Sequence, residues 1–459
     1  MSKGNLFAYL VLISWPLISM RLYQKKSIQE ATLWVLLGGF MFLAVKTEID
    51  FPFIPPLGKH TMPVLSAILG CWLVKRKKVE YFANQGLLKM LVLLLFISPF
   101  MTVYFNQRGV IIGGVYLPGL GLRDLLSILI NLLLFISPFF IGKQFFKSYQ
   151  DQRLMFQALT IAGLIYSLLV LYEIRLSPQL HIWFYGYFPH GFGQQKRDGG
   201  FRAVVFMGHG LWVAFFVATT LIASTTLWKN KEKIKQYSTA TISLYFLFIL
   251  VLSKSKASLI YGLLVFILIK KVSVKMQMRI AMIIMVTALS YPATSIFKLF
   301  PHQSVVQLAE DVMGEVRAGS LKFRFDNEEI LLARAQKQLW FGWGGWGRNL
   351  VYDEETGQGL SVTDGRWIIK FGMAGAAGFI AEFGLLAISI LRANKALKLL
   401  TSKPEQNLLS AHALLVGIIM IDQIPNASLQ PWLWLIAGVL LGRAESIIAT
   451  MRLKDNSPI

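Results

Sequence analysis

The chain has 459 residues, of which 55% are hydrophobic and only 15% are charged. Soluble domains carry about 25% charged residues, so this composition excludes a water-soluble globule and indicates a polytopic membrane protein. The 46 basic and 24 acidic residues give a formal net charge of +22. In a membrane protein such an excess reflects basic cytoplasmic loops, so it does not indicate nucleic-acid binding.

A single cysteine, Cys71, excludes an intramolecular disulfide, and the six scattered histidines have no metal-ligand spacing. We therefore expect no disulfide and no bound metal. The first apolar stretch, 7–20, runs into basic residues without a small-residue cleavage site, so we expect it to be retained. Because no low-complexity linker divides the chain, residues 1–459 are predicted to form one polytopic membrane domain.

A spanning helix needs about 20 mostly apolar residues, and the chain has many such stretches. They predict an all-α fold of about 12 or 13 transmembrane helices. The candidate stretches are 5–20, 31–45, 61–74, 87–105, 122–141, 154–174, 203–228, 238–253, 257–269, 278–297, 367–391, 407–421 and 429–442.

Lysine and arginine collect in alternate loops, which predicts that these loops face the cytoplasm. They are 75–78, 229–235, 270–279 and 392–403. The C-terminus is then cytoplasmic, whereas Lys25 and Lys26 favour an external N-terminus and Lys3 favours the reverse. The segments predicted to face outward are 46–60, 106–121, 176–202, 253–256, 298–366 and 422–428.

The 298–366 segment is much longer than a helix connection requires, and long loops usually have a function. It holds ten acidic and eight basic residues, whereas the rest of the chain holds 14 and 38. We expect a large, partly helical extracytoplasmic loop. Helical spacing occurs at 304–317 and 323–339, and Arg324 and Glu328 are four residues apart and able to pair.

The first polar constellation is Arg197-Asp198-Gly199-Gly200-Phe201-Arg202, just before an apolar stretch that contains His209. The fork of Arg202 at the membrane surface suits a diphosphate. The alternative is an interfacial arginine that contacts lipid phosphate. His209 is either an ordinary hydrogen-bonded helix residue or catalytic.

The second constellation is the turn Ser253-Lys254-Ser255-Lys256, which breaks the basic-inside pattern. Lys256 could bind an anionic lipid-linked donor, or the two lysines could be an ordinary helix-end pair.

The third constellation lies between Ser320 and Arg366 and interleaves glycines with tryptophans. Such a segment turns tightly, so its backbone can approach a ligand closely. Trp343 and Trp346 fit either an interfacial aromatic belt or contacts with sugar rings. Arg348 and Arg366 offer further phosphate forks. Asp364 immediately precedes a membrane helix, where partial burial would raise its pKa toward that of a useful base.

Two further acidic residues lie in or next to apolar stretches. Glu382 lies within a predicted membrane helix, where a charge is costly, so a structural partner in the bundle is expected. Asp422, with Pro425 and Asn426, is interpreted mainly as part of a turn.

At these residues the sequence resembles the O-antigen ligase and O-antigen polymerase superfamily of bacterial inner-membrane glycosyltransferases, over nearly the whole chain. Ser255-Lys256 stands where the family usually has Ser-Arg, and 341–344 is similar to its Gly-Trp-Gly segment. The ligases have His-Asn/Ser/Gln, nine residues, then Gly-x-x-Gly. Here Asp364 and Gly365 are followed by nine residues and then Gly375 to Gly378. Aspartate in place of histidine indicates a divergent branch, a polymerase or an exopolysaccharide enzyme.

The resemblance implies transfer from an undecaprenyl-diphosphate-linked oligosaccharide to a sugar hydroxyl on a glycan or lipid-linked acceptor. The reaction would take place at the periplasmic face of the inner membrane, without metal, nucleotide sugar or other cofactor. The chain would work in the bilayer with other polysaccharide-assembly proteins. The implied diphosphate ligands are Arg202, Lys256, Arg324, Arg348 and Arg366. Asp364 is the implied base, Glu328 is its reserve or the partner of Arg324, and Trp343 and Trp346 contact sugar.

Two other classes of protein remain open. A transporter of lipid-linked sugars would also need a basic interior, but it commonly shows internal repeats, which are not obvious here. A non-catalytic component of a polysaccharide export machine is the third possibility.

Overall fold

The computed structural model describes residues 4–51, 54–82, 86–197 and 199–455. The chain is mainly helical. Its helices in chain order are α1 (Leu6–Lys25), α2 (Ile28–Phe42), α3 (Met62–Leu69), α4 (Gly86–Phe105), α5 (Leu122–Phe145), α6 (Tyr149–Leu176), α7 (Leu180–Tyr185), α8 (Gly210–Lys229), α9 (Thr239–Leu252), α10 (Lys256–Lys271), α11 (Val274–Ile296), α12 (His302–Met313), α13 (Glu315–Gln336), α14 (Arg366–Leu397), α15 (Lys403–Asp422) and α16 (Pro431–Asp455).

Short antiparallel hairpins decorate the connections between helices. They are β1 (Ile49–Phe51) with β2 (Ile54–Leu57), β3 (Val110–Ile112) with β4 (Val115–Leu117), β5 (Lys196–Arg197) with β6 (Gly200–Phe201), and β7 (Lys233–Ile234) with β8 (Tyr237–Ser238). A π-helical turn, Gly70–Val74, extends α3, and a 3-10 turn, Phe192–Gln195, precedes β5.

Among the described residues, nine helices are long and apolar enough to cross a membrane: α1, α4, α5, α6, α8, α11, α14, α15 and α16. Shorter apolar helices are α2, α3 with its π-helical turn, and α9. Every predicted apolar stretch coincides with a helix, so the prediction of an all-α, multi-pass membrane protein is confirmed. The predicted total of 12 or 13 counted these shorter helices and α10 as spanning.

Helix boundaries differ from the prediction where local chemistry decides them. α6 begins at Tyr149, five residues early, because Ser148 and Asp151 form a capping box at its N-terminus. The 203–228 stretch becomes helical only at Gly210, since residues 203–209 are bonded elsewhere.

The helix bundle packs closely where glycines replace side chains, as is common in membranes. A Cβ on Gly438 of α16 would lie 2.0 Å from the carbonyl oxygen of Phe139 in α5, and one on Gly442 would lie 2.4 Å from that of Lys143. These glycines therefore bring α5 and α16 into backbone contact. Trp367, Trp432 and Trp434 are among the largest fully buried side chains of the core.

The loops predicted to face outward contact one another at one end of the bundle, here called the site end. Arg348 of 298–366 donates to the carbonyl of Arg108 in 106–121 at 3.1 Å, and Arg202 of 176–202 donates to that of Lys254 in 253–256 at 3.0 Å. At the opposite, basic end Lys229 donates to the carbonyl of Lys270 at 3.1 Å. Loops predicted to share a side therefore contact one another, and which end faces the cytoplasm stays a prediction.

The 298–366 segment contains α12 and α13, followed by an irregular return through 337–365. Gly314, with a φ of 84°, separates the two helices, which explains why α12 ends before the predicted 304–317 helix does. α13 begins at Glu315 and includes Gly319 and Ser320, so it is longer than the predicted 323–339 helix.

α14 is broken at Gly375, where φ is 64° and ψ is −167°. The 339–344 segment inserts at the break and satisfies the backbone there. The amides of Trp343 and Gly344 donate to the carbonyls of Gly372 and Met373, and the amide of Ala376 donates to Leu339. Non-helical backbone at membrane depth is tolerated where protein covers it in this way. The Gly-x-x-Gly pattern therefore marks a discontinuous helix.

Candidate functional site

Residues 203–209, which precede α8, are bonded to a buried carboxylate that the sequence analysis did not single out. Glu173 in α6 accepts from the amides of Val204 at 2.8 Å and Val205 at 2.7 Å, and from that of Leu180 at 3.0 Å. These bonds replace helical ones, so 203–209 stays irregular although it is apolar. An acid within a predicted membrane helix, the signal noted for Glu382, also applied to Glu173.

The β5–β6 hairpin and the 253–256 turn are joined by their own basic side chains. Arg202, which is 4% exposed, donates to the carbonyl of Lys254 at 3.0 Å. Lys254 in turn donates to the carbonyl of Arg197 at 2.9 Å. Lys256 begins α10 beside this junction with an exposed side chain. Asp198, part of the predicted motif, lies outside the described residues.

The imidazole of His209 interacts electrostatically with three arginines: Arg197, Arg202 and Arg324. The pKa of His209 is lowered to about 4, mainly by burial and in addition by the nearby charges of His190 and the three arginines. We call these arginines the arginine cluster. Its members come from two separate segments of the chain, which the sequence alone does not place together.

His209 is the N-cap of α8 rather than a residue inside the helix. Its Nδ1 accepts from the amide of Leu211 at 3.0 Å, so in the neutral ring the proton is on Nε2. Its ring lies 4.7 Å from that of His190, edge to face. A neutral imidazole of this tautomer offers one N–H donor within a strongly positive environment.

Arg324 links the arginine cluster to carboxylates. Its Nε lies 3.4 Å from Oδ2 of Asp364, whose side chain is 41% exposed. A small cleft, here called the site cleft, is lined by Leu321, Arg324, Glu328, Asp364 and Pro425 and has a cavity volume of about 30 Å³. Asp364 is therefore an ion-paired, partly exposed group at the cleft.

Glu328 is the desolvated carboxylate of the site cleft. It accepts from the Tyr291 hydroxyl at 2.8 Å and from the Trp367 indole at 3.3 Å, and His302 lies 3.9 Å away. Burial raises the pKa of Glu328 to about 7, against the opposing effect of these hydrogen bonds. Its proton therefore exchanges near neutral pH, as a general base requires.

The predicted pairing of Arg324 with Glu328 along one helix face is replaced by these contacts. Arg324 instead forms an ion pair with Asp364, which precedes α14, and Glu328 instead accepts a hydrogen bond from Tyr291 of α11. An exposed i,i+4 pair is worth only about 0.2–0.5 kcal/mol, so tertiary partners readily displace it.

The turn after α15 completes the wall of the site cleft. Asn426 donates to the Asp422 carboxylate at 2.9 Å, and Ser428 donates at 2.6 Å, which confirms the predicted turn. The same turn accepts from the first amides of α14, since Arg366 N donates to the carbonyl of Asn426 at 3.0 Å. Asp422 itself is only 3% exposed, so its carboxylate serves to hold the turn.

Arg348, another predicted phosphate ligand, lies apart from the arginine cluster. Its guanidinium donates to the carbonyls of Pro118 at 2.9 Å, Arg108 at 3.1 Å and Trp343 at 3.3 Å. It also donates to the side chain of Asn106 at 3.3 Å and is 3% exposed. This arrangement joins the loop after α4 to the glycine-tryptophan segment.

Arg366 is engaged by Glu382, at 2.7 and 3.0 Å to the two carboxylate oxygens. Lys370 contacts the same carboxylate at 3.2 Å. The structural partner predicted for Glu382 is thereby confirmed.

The two predicted sugar-contacting tryptophans have different surroundings. The guanidinium of Arg334 lies 3.6 Å from the ring centre of Trp343, and the indole donates to the carbonyl of Arg334 at 2.9 Å. One face of Trp343 is therefore occupied. The indole N–H of Trp346 donates to Asp124 at 2.8 Å. Because the side chain is 66% exposed, its ring is accessible to a ligand.

Comparison with protein-family models finds no match, and comparison with curated proteins finds none either. The geometry of the site cleft and the arginine cluster therefore carries the functional argument.

Proposed function

We propose that this chain is a membrane glycosyltransferase that uses a sugar linked to polyprenyl diphosphate and transfers it to a sugar hydroxyl. The observation that carries the proposal is the arginine cluster around neutral His209, next to the carboxylates of the site cleft. A donor diphosphate needs cations that stabilise charge in the leaving group. An acceptor hydroxyl needs a carboxylate to take its proton.

In the proposed reaction the acceptor oxygen attacks the anomeric carbon and forms the new glycosidic bond. The bond from that carbon to the diphosphate oxygen breaks, and the diphosphate leaves with the electron pair. Arg202, Arg324 and Lys256 stabilise the departing charge, with the Nε2–H of His209 as a further donor. Arginine forks suit this role because they match phosphate oxygens in pairs.

Glu328 accepts the proton from the acceptor hydroxyl in this proposal, and Asp364 holds Arg324 in place. The reasons are the burial of Glu328, which raises its pKa to about 7, and the ion pair that engages Asp364. This reverses the roles that the resemblance implied for the two carboxylates. Arg348 and Arg366 shape the surrounding scaffold, and the open ring of Trp346 contacts sugar.

The proposed location is the inner membrane of a bacterium, with the site end in the periplasm and the C-terminus in the cytoplasm. Basic loops at the end opposite the site favour this orientation, since cytoplasmic loops carry an excess of lysine and arginine. Lys229, Lys270 and Lys271 belong to that end. A surface polysaccharide is the proposed product, assembled by ligation or by polymerisation.

The test is release of undecaprenyl diphosphate from a lipid-linked oligosaccharide in proteoliposomes, with and without a glycan acceptor. We expect acceptor-dependent release by wild type. Glu328→Gln should lower the rate by about 10²–10⁴-fold, the usual contribution of a general base. Arg324→Gln should lower it strongly as well, because both the phosphate contact and the pairing of Asp364 are lost.

Matched controls are available in the same helix. Glu329→Gln and Lys322→Gln change exposed neighbours, 73% and 64% exposed respectively, and should retain wild-type rates. Equal rates in Glu328→Gln and Glu329→Gln would remove Glu328 from the mechanism. Movement of the lipid-linked donor between leaflets without release of undecaprenyl diphosphate would show that the chain is a transporter rather than a glycosyltransferase. Product length distinguishes a polymerase from a ligase.

A further inference from the structure

The break in α14 brings together charges that a straight helix would keep apart. Arg366 and Glu382 are 16 residues apart, which corresponds to about 24 Å along a continuous α-helix. Their side chains nevertheless meet at 2.7 Å. The turn at Gly375 therefore folds the first half of α14 back beside the second, and Lys370 joins the same carboxylate at 3.2 Å.

The resulting triad is unbalanced, with two basic side chains and one carboxylate. Glu382 is only 2% exposed, whereas the side chains of Lys370 and Arg366 are 15% and 26% exposed. The carboxylate thus lies behind the two bases, and the net positive charge is on the accessible side. A charge of this kind within a membrane domain is costly unless an anion accompanies it.

The accessible side of the triad opens into a groove between α4, α5 and the first half of α14, here called the membrane groove. Its cavity volume is about 130 Å³, below the roughly 300–1,000 Å³ of pockets that enclose a drug-sized ligand, so it holds part of a ligand and leaves the rest outside. Its walls are mostly apolar, with the hydroxyls of two α4 residues near the broken helix. The lining includes Leu95, Ser98, Pro99, Ile128, Leu132 and Met373.

We propose that the membrane groove binds one anionic phospholipid, with its phosphodiester at Lys370 and Arg366 and an acyl chain along the apolar wall. Charge complementarity selects this occupant: with both bases protonated the triad carries one net positive charge, and a phosphodiester headgroup of the phosphatidylglycerol type carries one negative charge. A diphosphate carries more charge and fits the arginine cluster instead. This lipid site is separate from the site cleft, and its occupancy does not depend on glycosyl transfer.

Native mass spectrometry of the full chain tests the proposal with phosphatidylglycerol, phosphatidylcholine and undecaprenyl phosphate as probes. We expect wild type to retain one tightly bound phosphatidylglycerol in preference to phosphatidylcholine. Lys370→Met leaves Arg366 and Glu382 as a balanced pair, so the fold persists and phosphatidylglycerol affinity drops by about tenfold, as for one lost charged contact. Lys395→Met removes an exposed lysine from the same helix and should leave this affinity unchanged.

A second variant tests the groove by shape rather than by charge. A Cβ on Gly345, which lines the groove, would have Met373 Cε as its nearest neighbour at 3.9 Å, so Gly345→Val fills space without a clash at Cβ. It should also weaken phosphatidylglycerol retention. Wild-type affinity in both Lys370→Met and Gly345→Val would overturn the proposal. Preferential retention of undecaprenyl phosphate, lost in Lys370→Met, would overturn the phospholipid assignment and make the groove a carrier site.

Discussion

Gly375→Ala is the most direct test of the broken helix. At φ 64° and ψ −167° the backbone is in a region that essentially only glycine occupies, and a side chain there costs about 1–3 kcal/mol. The new Cβ would also lie 2.2 Å from the carbonyl carbon of Trp340, so backbone must move, at a further cost of about 1–3 kcal/mol. We expect the free energy of unfolding to fall by roughly 2–6 kcal/mol.

The assay is reversible unfolding in mixed micelles with increasing dodecyl sulfate, with helix content as the readout. Gly345→Ala is the matched control, because its Cβ makes an ordinary contact of 3.9 Å with Met373. We expect that control to stay within about 0.5 kcal/mol of wild type. If Gly375→Ala were as stable as Gly345→Ala, the break would not be a requirement of the fold.

Three further outcomes are expected. Because burial raises the pKa of Glu328 from 4.5 to about 7, the folded state holds a proton that the unfolded state releases, so the free energy of unfolding falls as pH rises through this window. The fall is roughly 3 kcal/mol, and pH titrations of stability should show none of it in Glu328→Gln. Glu173→Ala leaves three buried amides without an acceptor and should lower the free energy of unfolding, measured by chemical denaturation, by about 3 kcal/mol or more. Glu173→Gln keeps one acceptor oxygen and should lower it less; equal losses in the two variants would refute this role. Trp346→Ala should stay within about 1 kcal/mol of wild type and raise the KM for the sugar acceptor; an unchanged KM would remove the proposed sugar contact.

The membrane helices could be predicted because a run of apolar residues long enough to cross a bilayer has few alternatives to helix. The same criterion failed at 203–209, which is as apolar as α8 itself. There the carboxylate of Glu173, 31 residues before Val204, accepts hydrogen bonds from amides that would otherwise donate within a helix. Apolar composition reports burial and does not report which acceptor the backbone finds.

The candidate site could be predicted only as a set of residue types. Arg324, Arg348 and Arg366 were equivalent by composition, since each lies in the long loop or at its end. In the fold Arg324 pairs with a carboxylate at the site cleft, and Arg348 donates to backbone carbonyls of the loop after α4. Arg366 pairs with a carboxylate inside a membrane helix. Partners of this kind depend on tertiary contacts, which a single sequence does not contain.

The insertion of the glycine-tryptophan segment into the broken helix also sets the order in which the protein can be assembled. Asn106 of the loop after α4 donates to the carbonyl of Gly342, a contact across 236 residues of sequence. At synthesis rates of about 5–20 residues per second, the earlier partner waits roughly 10–50 s in the membrane for the later one. During that interval Asn106 and Thr102 have carbonyls of their own segment as acceptors, at 2.8 Å and 3.0 Å. These two polar side chains therefore need not wait unpaired while the nascent chain lacks α14, and each gains its distant partner only when the glycine-tryptophan segment is inserted.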